Sequence, residues 1–155
     1  MKKIDFNADW EYEVLTNRAE HPGREKITLP HDAMLHEKRT ENSPGAQNTG
    51  YFEGNDYLYC KSFWVPENWR EKHILIEFEG IYRNADIRLN GEQIYCRPNG
   101  YIQFLLSLDD RLQYGKENTI EVYVKNSDQP NSRWYSGAGI YRPAWLYVGE
   151  KSAVE

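Results

Sequence analysis

Alternation with a period of two is the pattern that most restricts what this chain can fold into. Ile4, Phe6, Ala8, Trp10, Tyr12 and Val14 share one parity, a spacing that puts all six side chains on one face of extended backbone. The run reads as a strand pair or one long bent strand. Ile74, Ile76 and Phe78 alternate against His73 and Glu77, and Ile120, Val122 and Val124 alternate against Glu121, Tyr123 and Lys125. Further strands are expected over 26–29, stopped by Pro30, over 57–65 (YLYCKSFWV), stopped by Pro66, and over 143–148, because proline ends a strand by removing a ladder donor. Asn90-Gly91 between two β-rich runs marks a hairpin, since this pair tolerates the two positive φ angles of a type I′ turn. Residues 101–104 read as extended, and 105–112 followed by Tyr114-Gly115 as a single helical turn closed by glycine. No stretch of ten residues keeps helical spacing. Many short strands joined by turns predict an all-β fold, an antiparallel β-sandwich.

A chain of 155 residues forms one domain of ordinary size, here spanning 1–155, and buries enough surface to need neither a disulfide framework nor a metal. The net charge of −5 has the wrong sign for phosphate backbones or anionic lipid, so nucleic acid and membrane surfaces drop out as partners. A mean hydropathy of −0.85 leaves no run long enough to span a bilayer. Lys2 and Lys3 lead into Asp5, Asn7 and Asp9 rather than into an apolar signal core, and the expected location is cytoplasmic. Cys60 and Cys96, the only cysteines, are expected to be reduced and buried.

Few residues offer chemistry of their own. His31 and His36 are five apart on a non-helical stretch, which fixes no metal geometry. Asp32 is better read as a cap on backbone amides. A Gly-x-Ser-x-Gly elbow and a glycine-rich phosphate loop are both missing, so neither a nucleophile nor a cofactor is assigned. Glu53, Glu77, Glu79, Glu121 and Asp86 fall at outward strand or turn positions and are expected to be solvated, which leaves no catalytic acid. The connection 126–142 (NSDQPNSRWYSGAGIYR) is the best functional candidate. Asp128, Asn131, Arg133, Trp134 and Tyr135 mix planar hydrogen-bonding groups with aromatic faces, the chemistry that recognises a polyhydroxylated ring. Equally, Trp134 and Tyr135 could serve only to cover the open end of the sandwich.

Six strings follow one another in a familiar order: LPHD (29–32), GYFEGNDYLYCKSFWVPENW (50–69), FEGIYRNADIRLNGEQI (78–94), NGYIQFLLSL (99–108), YGKENTIEVYVKNSD (114–128) and RWYSGAGIYRPAWL (133–146). Together they resemble the N-terminal sugar-binding domain of glycoside hydrolase family 2, which includes β-galactosidases, β-glucuronidases and β-mannosidases. The resemblance implies a jelly-roll sandwich of the galactose-binding-domain kind, followed in the parent by an immunoglobulin-like domain and a TIM barrel with two catalytic glutamates. This chain would then be the first domain excised from a multidomain glycosidase, with those downstream domains and a β-galactoside-type carbohydrate as its partners.

The resemblance also places substrate contacts. Asp128 in KNSD matches the family aspartate that reaches into the barrel's active site. Arg133 stands where glucuronidase-like members carry a sugar-contacting aspartate, which points away from glucuronides. Asn48 matches an asparagine of the loop before the Gly-Tyr motif. The implied substrate-binding set is Asp128, Asn131, Arg133, Trp134 and Asn48, with no cofactor or metal. A free-standing carbohydrate-binding module is the alternative, and a structural sandwich mediating homo-oligomer assembly is a third reading.

Overall fold

The computed structural model describes residues 1–16, 20, 23–50, 52–98, 100–127 and 137–151. Among the described residues there are ten strands: β1 (Lys2–Asp5), β2 (Trp10–Val14), β3 (Glu25–Ile27), β4 (Asp56–Val65), β5 (Lys72–Phe78), β6 (Ala85–Leu89), β7 (Glu92–Arg97), β8 (Phe104–Ser107), β9 (Lys116–Lys125) and β10 (Ala144–Glu150). They form a four-stranded sheet in the order β1-β10-β5-β8 and a six-stranded sheet in the order β3-β2-β4-β9-β6-β7. Neighbouring strands in both sheets run antiparallel. Helical structure among the described residues is confined to 3-10 turns at Ala33–His36, Ala46–Thr49 and Glu67–Trp69. The expected all-β sandwich is the observed fold.

Period-two runs bury one face of each sheet against the other. Ile74, Ile76, Phe78 and Leu146 from the four-stranded sheet meet Trp10, Tyr57, Tyr59, Ile87, Ile120, Val122 and Val124 from the six-stranded one, all 3% exposed or less. Each such side chain contributes about 1.5–3 kcal/mol by leaving water. The alternation over 4–14 belongs to two strands in different sheets. Ile4 lies on β1, Trp10 to Val14 lie on β2, and between them the chain crosses from sheet to sheet. The crossing is held by the Asn7 side chain, which accepts from the Ala144 amide at 2.8 Å, and by the Trp10 indole, which donates to the Phe6 carbonyl at 2.7 Å. Ala8 lies on this crossing and is exposed.

The Asn90-Gly91 turn has φ values of 50° and 84°, as a type I′ turn requires. Asn90 also has a tertiary task, since its Oδ1 accepts from the Thr119 amide at 2.9 Å and its Nδ2 donates to Asn118 at 2.9 Å. Strand β8 runs over 104–107, later than the expected 101–104, because Phe104 and Leu106 stand opposite Phe78 and Ile76 in register. The helical turn expected over 105–112 is therefore replaced by the end of β8 and a hydrogen-bonded turn, in which the Arg111 and Leu112 amides both donate to the Leu108 carbonyl. Two further expectations are corrected. Glu77 faces outward but is buried, because the large neighbours on that face close over it and the Tyr147 hydroxyl donates to it at 2.6 Å. Both cysteines are free, yet Cys96 is exposed and Cys60 only half-buried, since each sits on the outward parity of its strand.

Candidate functional site

The long connection after β9 leaves and re-enters the sandwich at points held by two aspartates. Asp56, at the start of β4, stands opposite Lys125, at the end of β9. Its Oδ1 reaches past that pair to accept from the Asn126 amide at 2.9 Å and the Ser127 amide at 3.0 Å. On the return, Asp32 Oδ1 accepts from the Ala138 amide at 3.0 Å while also capping the 3-10 turn through the Met34 amide at 3.0 Å. A carboxylate accepting backbone N–H bonds is roughly twice as strong a partner as a neutral acceptor. Backbone pairing continues the grip: Ala33 N–H donates to the Ala138 carbonyl and His31 N–H to the Ile140 carbonyl, each at 2.9 Å. The capping role expected of Asp32 is therefore present, and it extends to a segment more than a hundred residues away.

Glycine is required at this return. Gly137 has φ +73°, and a Cβ there would lie 2.6 Å from Asp32 Oδ2. Gly139 has φ +100°, and a Cβ there would overlap the hydroxyl of Tyr59. That hydroxyl is bonded to His31 Nδ1 at 2.7 Å. His31 stacks on His36, with ring centroids 5.0 Å apart and planes 9° apart, and lies 4.5 Å from the ring of Tyr12. Burial, helped by the neighbouring His36, lowers the His31 pKa to about 4, so its imidazole is neutral at pH 7. Burial likewise drives the Tyr59 phenol well above its ordinary value, and burial with the nearby Glu25 carboxylate pushes Tyr12 up to about 12. His31 Nε2 is buried without a hydrogen-bond partner among the described residues. Parallel imidazoles direct their lone pairs along separate planes, so the pair does not converge on a metal, and no group of three potential metal ligands occurs among the described residues.

Asp128, Asn131, Arg133 and Trp134, with the neighbouring Tyr135, lie outside the described residues. Asn48 sits half-buried in the 3-10 turn Ala46–Thr49, its amide donating to the Gly45 carbonyl at 3.0 Å. Its loop is tied down by the Ser43 hydroxyl on the Phe52 carbonyl at 2.6 Å and by Arg39 on the Gly50 carbonyl at 2.8 Å. Glu37 links the same stretch to β4, accepting from the Tyr57 hydroxyl at 2.9 Å. Asp56 escapes the hydrophobic pattern, which starts at Tyr57, whereas the strand itself begins at Asp56. The available signal is an aspartate directly before a strand, a position from which a short carboxylate can cap nearby backbone amides. A polar cleft of about 310 Å³ lies elsewhere, on the outer face of the six-stranded sheet, lined by Asp9, Glu11, Arg24, Lys26, Cys60 and Ser62.

Two antiparallel sheets, with a long polar connection held by an aspartate where it leaves and by another where it returns, make this a β-sandwich of the galactose-binding-like class. Residues 10–138 match the glycosyl hydrolase 2 galactose-binding domain-like family, and the chain belongs to that family. It is 37% identical over 151 residues to the β-galactosidase BoGH2A of Bacteroides ovatus, covering 94% of this chain and 18% of that protein. Identity to a putative β-glucuronidase of Formosa agariphila is 31% over 150 residues, covering 93% of this chain and 14% of that one. Among solved structures, a β-glycosidase from Bacteroides vulgatus superposes with a TM-score of 0.83 at 31% identity, over 96% of this chain and 20% of the other. The chain thus spans a fifth or less of the length of these relatives.

Proposed function

We propose that this chain is the N-terminal, non-catalytic sugar-binding domain of a family 2 exo-glycosidase of the β-galactosidase kind. Its connection after β9 supplies one wall of an active site whose other walls and catalytic carboxylates belong to a downstream barrel. The observation that carries this reading is the similarity to BoGH2A, which runs through nearly all of this chain while occupying 18% of the relative. Such a match fits one module of a larger glycosidase, with carbohydrate and the downstream domains as partners. Asp128, Asn131, Arg133 and Trp134 are the proposed sugar-facing groups, with Asn48 on a second loop. The pinned ends of the connection support this assignment, because a side chain can contribute to binding only if its backbone is held in place.

The test compares the 155-residue chain with the full-length protein on nitrophenyl β-galactoside. Turnover is expected only from the full-length protein, since an enzyme's general acid and nucleophile underlie rate enhancements on the order of 10⁶-fold or more. In the full-length protein Asp128→Asn should lower kcat/KM at least tenfold. Hydrolysis by the isolated chain, or unchanged kinetics in Asp128→Asn, would overturn the reading.

A further inference from the structure

We propose that the polar cleft on the outer face of the six-stranded sheet, together with the indole of Trp64, is a binding site for a neutral disaccharide. Binding there does not depend on the function proposed above. The cleft follows from the topology. Glu11 stands opposite Lys26 on one side and Cys60 on the other, so one row of outward side chains crosses β3, β2 and β4. At Asp9 the chain turns off the line of β2 toward the other sheet, with φ 58°, a left-handed conformation that aspartate adopts more readily than most residues. Strand β4 pairs with β2 as far as Cys60 and runs on beside β9 to Val65. The cleft of about 310 Å³ opens beside this departure.

Its lining is charged but balanced. The carboxylates of Asp9 and Glu11 are matched by Arg24 and Lys26, and two charges beside the cleft, Glu13 at 3.6 Å from Arg24 and Lys61 on the Ala8 carbonyl, also cancel. Among the described residues, the side chains of Asp9, Glu11 and Lys26 make no hydrogen bond or ion pair with one another or with a neighbour. Three charged groups from separate segments thus border one small space with their bonding capacity unused. A carboxylate only accepts and an ammonium only donates, while a sugar hydroxyl does both. A polyhydroxylated ring therefore satisfies this mixed set, whereas an ion meets as much repulsion as attraction. Ligand sites run from about 300 Å³ upward, so the cleft suits a single ring. Trp64 shares the outward parity of β4 with Cys60 and Ser62 and lies about 7 Å beyond Ser62 along the strand. It is 63% exposed, and its flat apolar face is placed for the C–H groups of a second ring.

The experiment titrates lactose, cellobiose and maltose into the 155-residue chain, followed by NMR and by alkylation of the thiols with iodoacetamide. At least one of these sugars is expected to shift the amides of Glu11, Lys26, Cys60 and Ser62 and the indole N–H of Trp64, with a Kd on the order of 10 mM, as befits a solvated cleft. At about 50 mM that sugar should slow alkylation of Cys60 about fivefold by mass action and leave Cys96, on the edge strand β7, unchanged. Glu11→Gln and Trp64→Ala should each weaken binding at least threefold. Ser62→Arg, which fills the cleft from an exposed position, should abolish both the shifts and the protection, and it serves as the test where either other variant fails to fold. Four results would overturn the proposal: no shift at these positions with any of the three sugars, equal slowing of Cys60 and Cys96, binding that survives Ser62→Arg unchanged, or larger shifts from glucuronate than from every neutral sugar, which would mark an ion site. Turnover of nitrophenyl β-galactoside by the full-length protein reads the proposed function separately, so either reading can fail while the other stands.

Discussion

Asp32 and Gly137 approach so closely that a Cβ on the glycine would lie 2.6 Å from Oδ2 and 2.9 Å from Cγ of the carboxylate. The contact joins an early surface turn to the far end of the connection after β9, and it exists only because residue 137 has no side chain. Gly137→Ala must both adopt φ +73°, at a cost of about 1–2 kcal/mol, and displace a carboxylate that accepts two amide bonds worth about 1 kcal/mol each. The expected loss is about 2–3 kcal/mol, measured by urea denaturation. A variant as stable as the wild type would mean that the contact is absent in solution.

Stability should rise with pH between about 4 and 6.5. His31 has a pKa of about 4 in the folded chain against 6.5 when unfolded, so between those values the unfolded state binds more protons and acid favours unfolding. Above pH 6.5 both states hold a neutral ring and the contribution is complete; it is lost as the pH falls toward 4. Melting temperatures at pH 4.5 and 6.5 isolate the effect when His31→Gln is compared with the wild type. The wild type is expected to lose about 3 °C more than the variant over that interval. Equal losses would place the titration elsewhere.

The two thiols should react at different rates. Cys96 is exposed, whereas Cys60 is half-buried and its pKa is raised, first by burial, which lowers the fraction of reactive thiolate. Titration with a chromogenic disulfide at pH 8 is expected to show one fast thiol and one about tenfold slower, and two in denaturant. A total of zero under non-reducing conditions would reveal a disulfide.

The isolated chain should bind galactose only weakly. Ligand sites normally bury 70–90% of a ligand, and one loop cannot do so when the remaining walls lie on another domain. A few half-exposed hydrogen bonds of about 0.5–1.5 kcal/mol each, set against the entropy of association, leave an affinity weaker than about 1 mM. Saturation at micromolar galactose in an NMR titration would instead favour a free-standing binding module.

Much of the fold was legible because extended backbone writes its pattern locally. Ile120, Val122 and Val124 announce an inward face whatever they pair with, and Asn90-Gly91 names its turn through two positive φ angles. The site was legible in part. Asp32 could be read as a cap because capping is a short-range habit of aspartate, and the bond to Met34 two residues on fits it. Its bond to Ala138 could not be read, nor could the burial of Glu77, which depends on Tyr147 arriving from a strand 70 residues later.

By itself the sequence determined most of the strands and where the tight turn falls, and its ordered motifs carried the resemblance to the family. The strands and the turn follow from side-chain alternation and φ preference, properties that extend over a few neighbouring residues. Tertiary structure alone decided that the alternating run from Ile4 to Val14 is divided between two sheets. It also decided that Asp56 meets Asn126 across 70 positions, and Asp32 meets Ala138 across 106. The reason is sheet order. Which strands become neighbours is settled by burying both apolar faces at once, a condition on the whole chain that no local spacing contains.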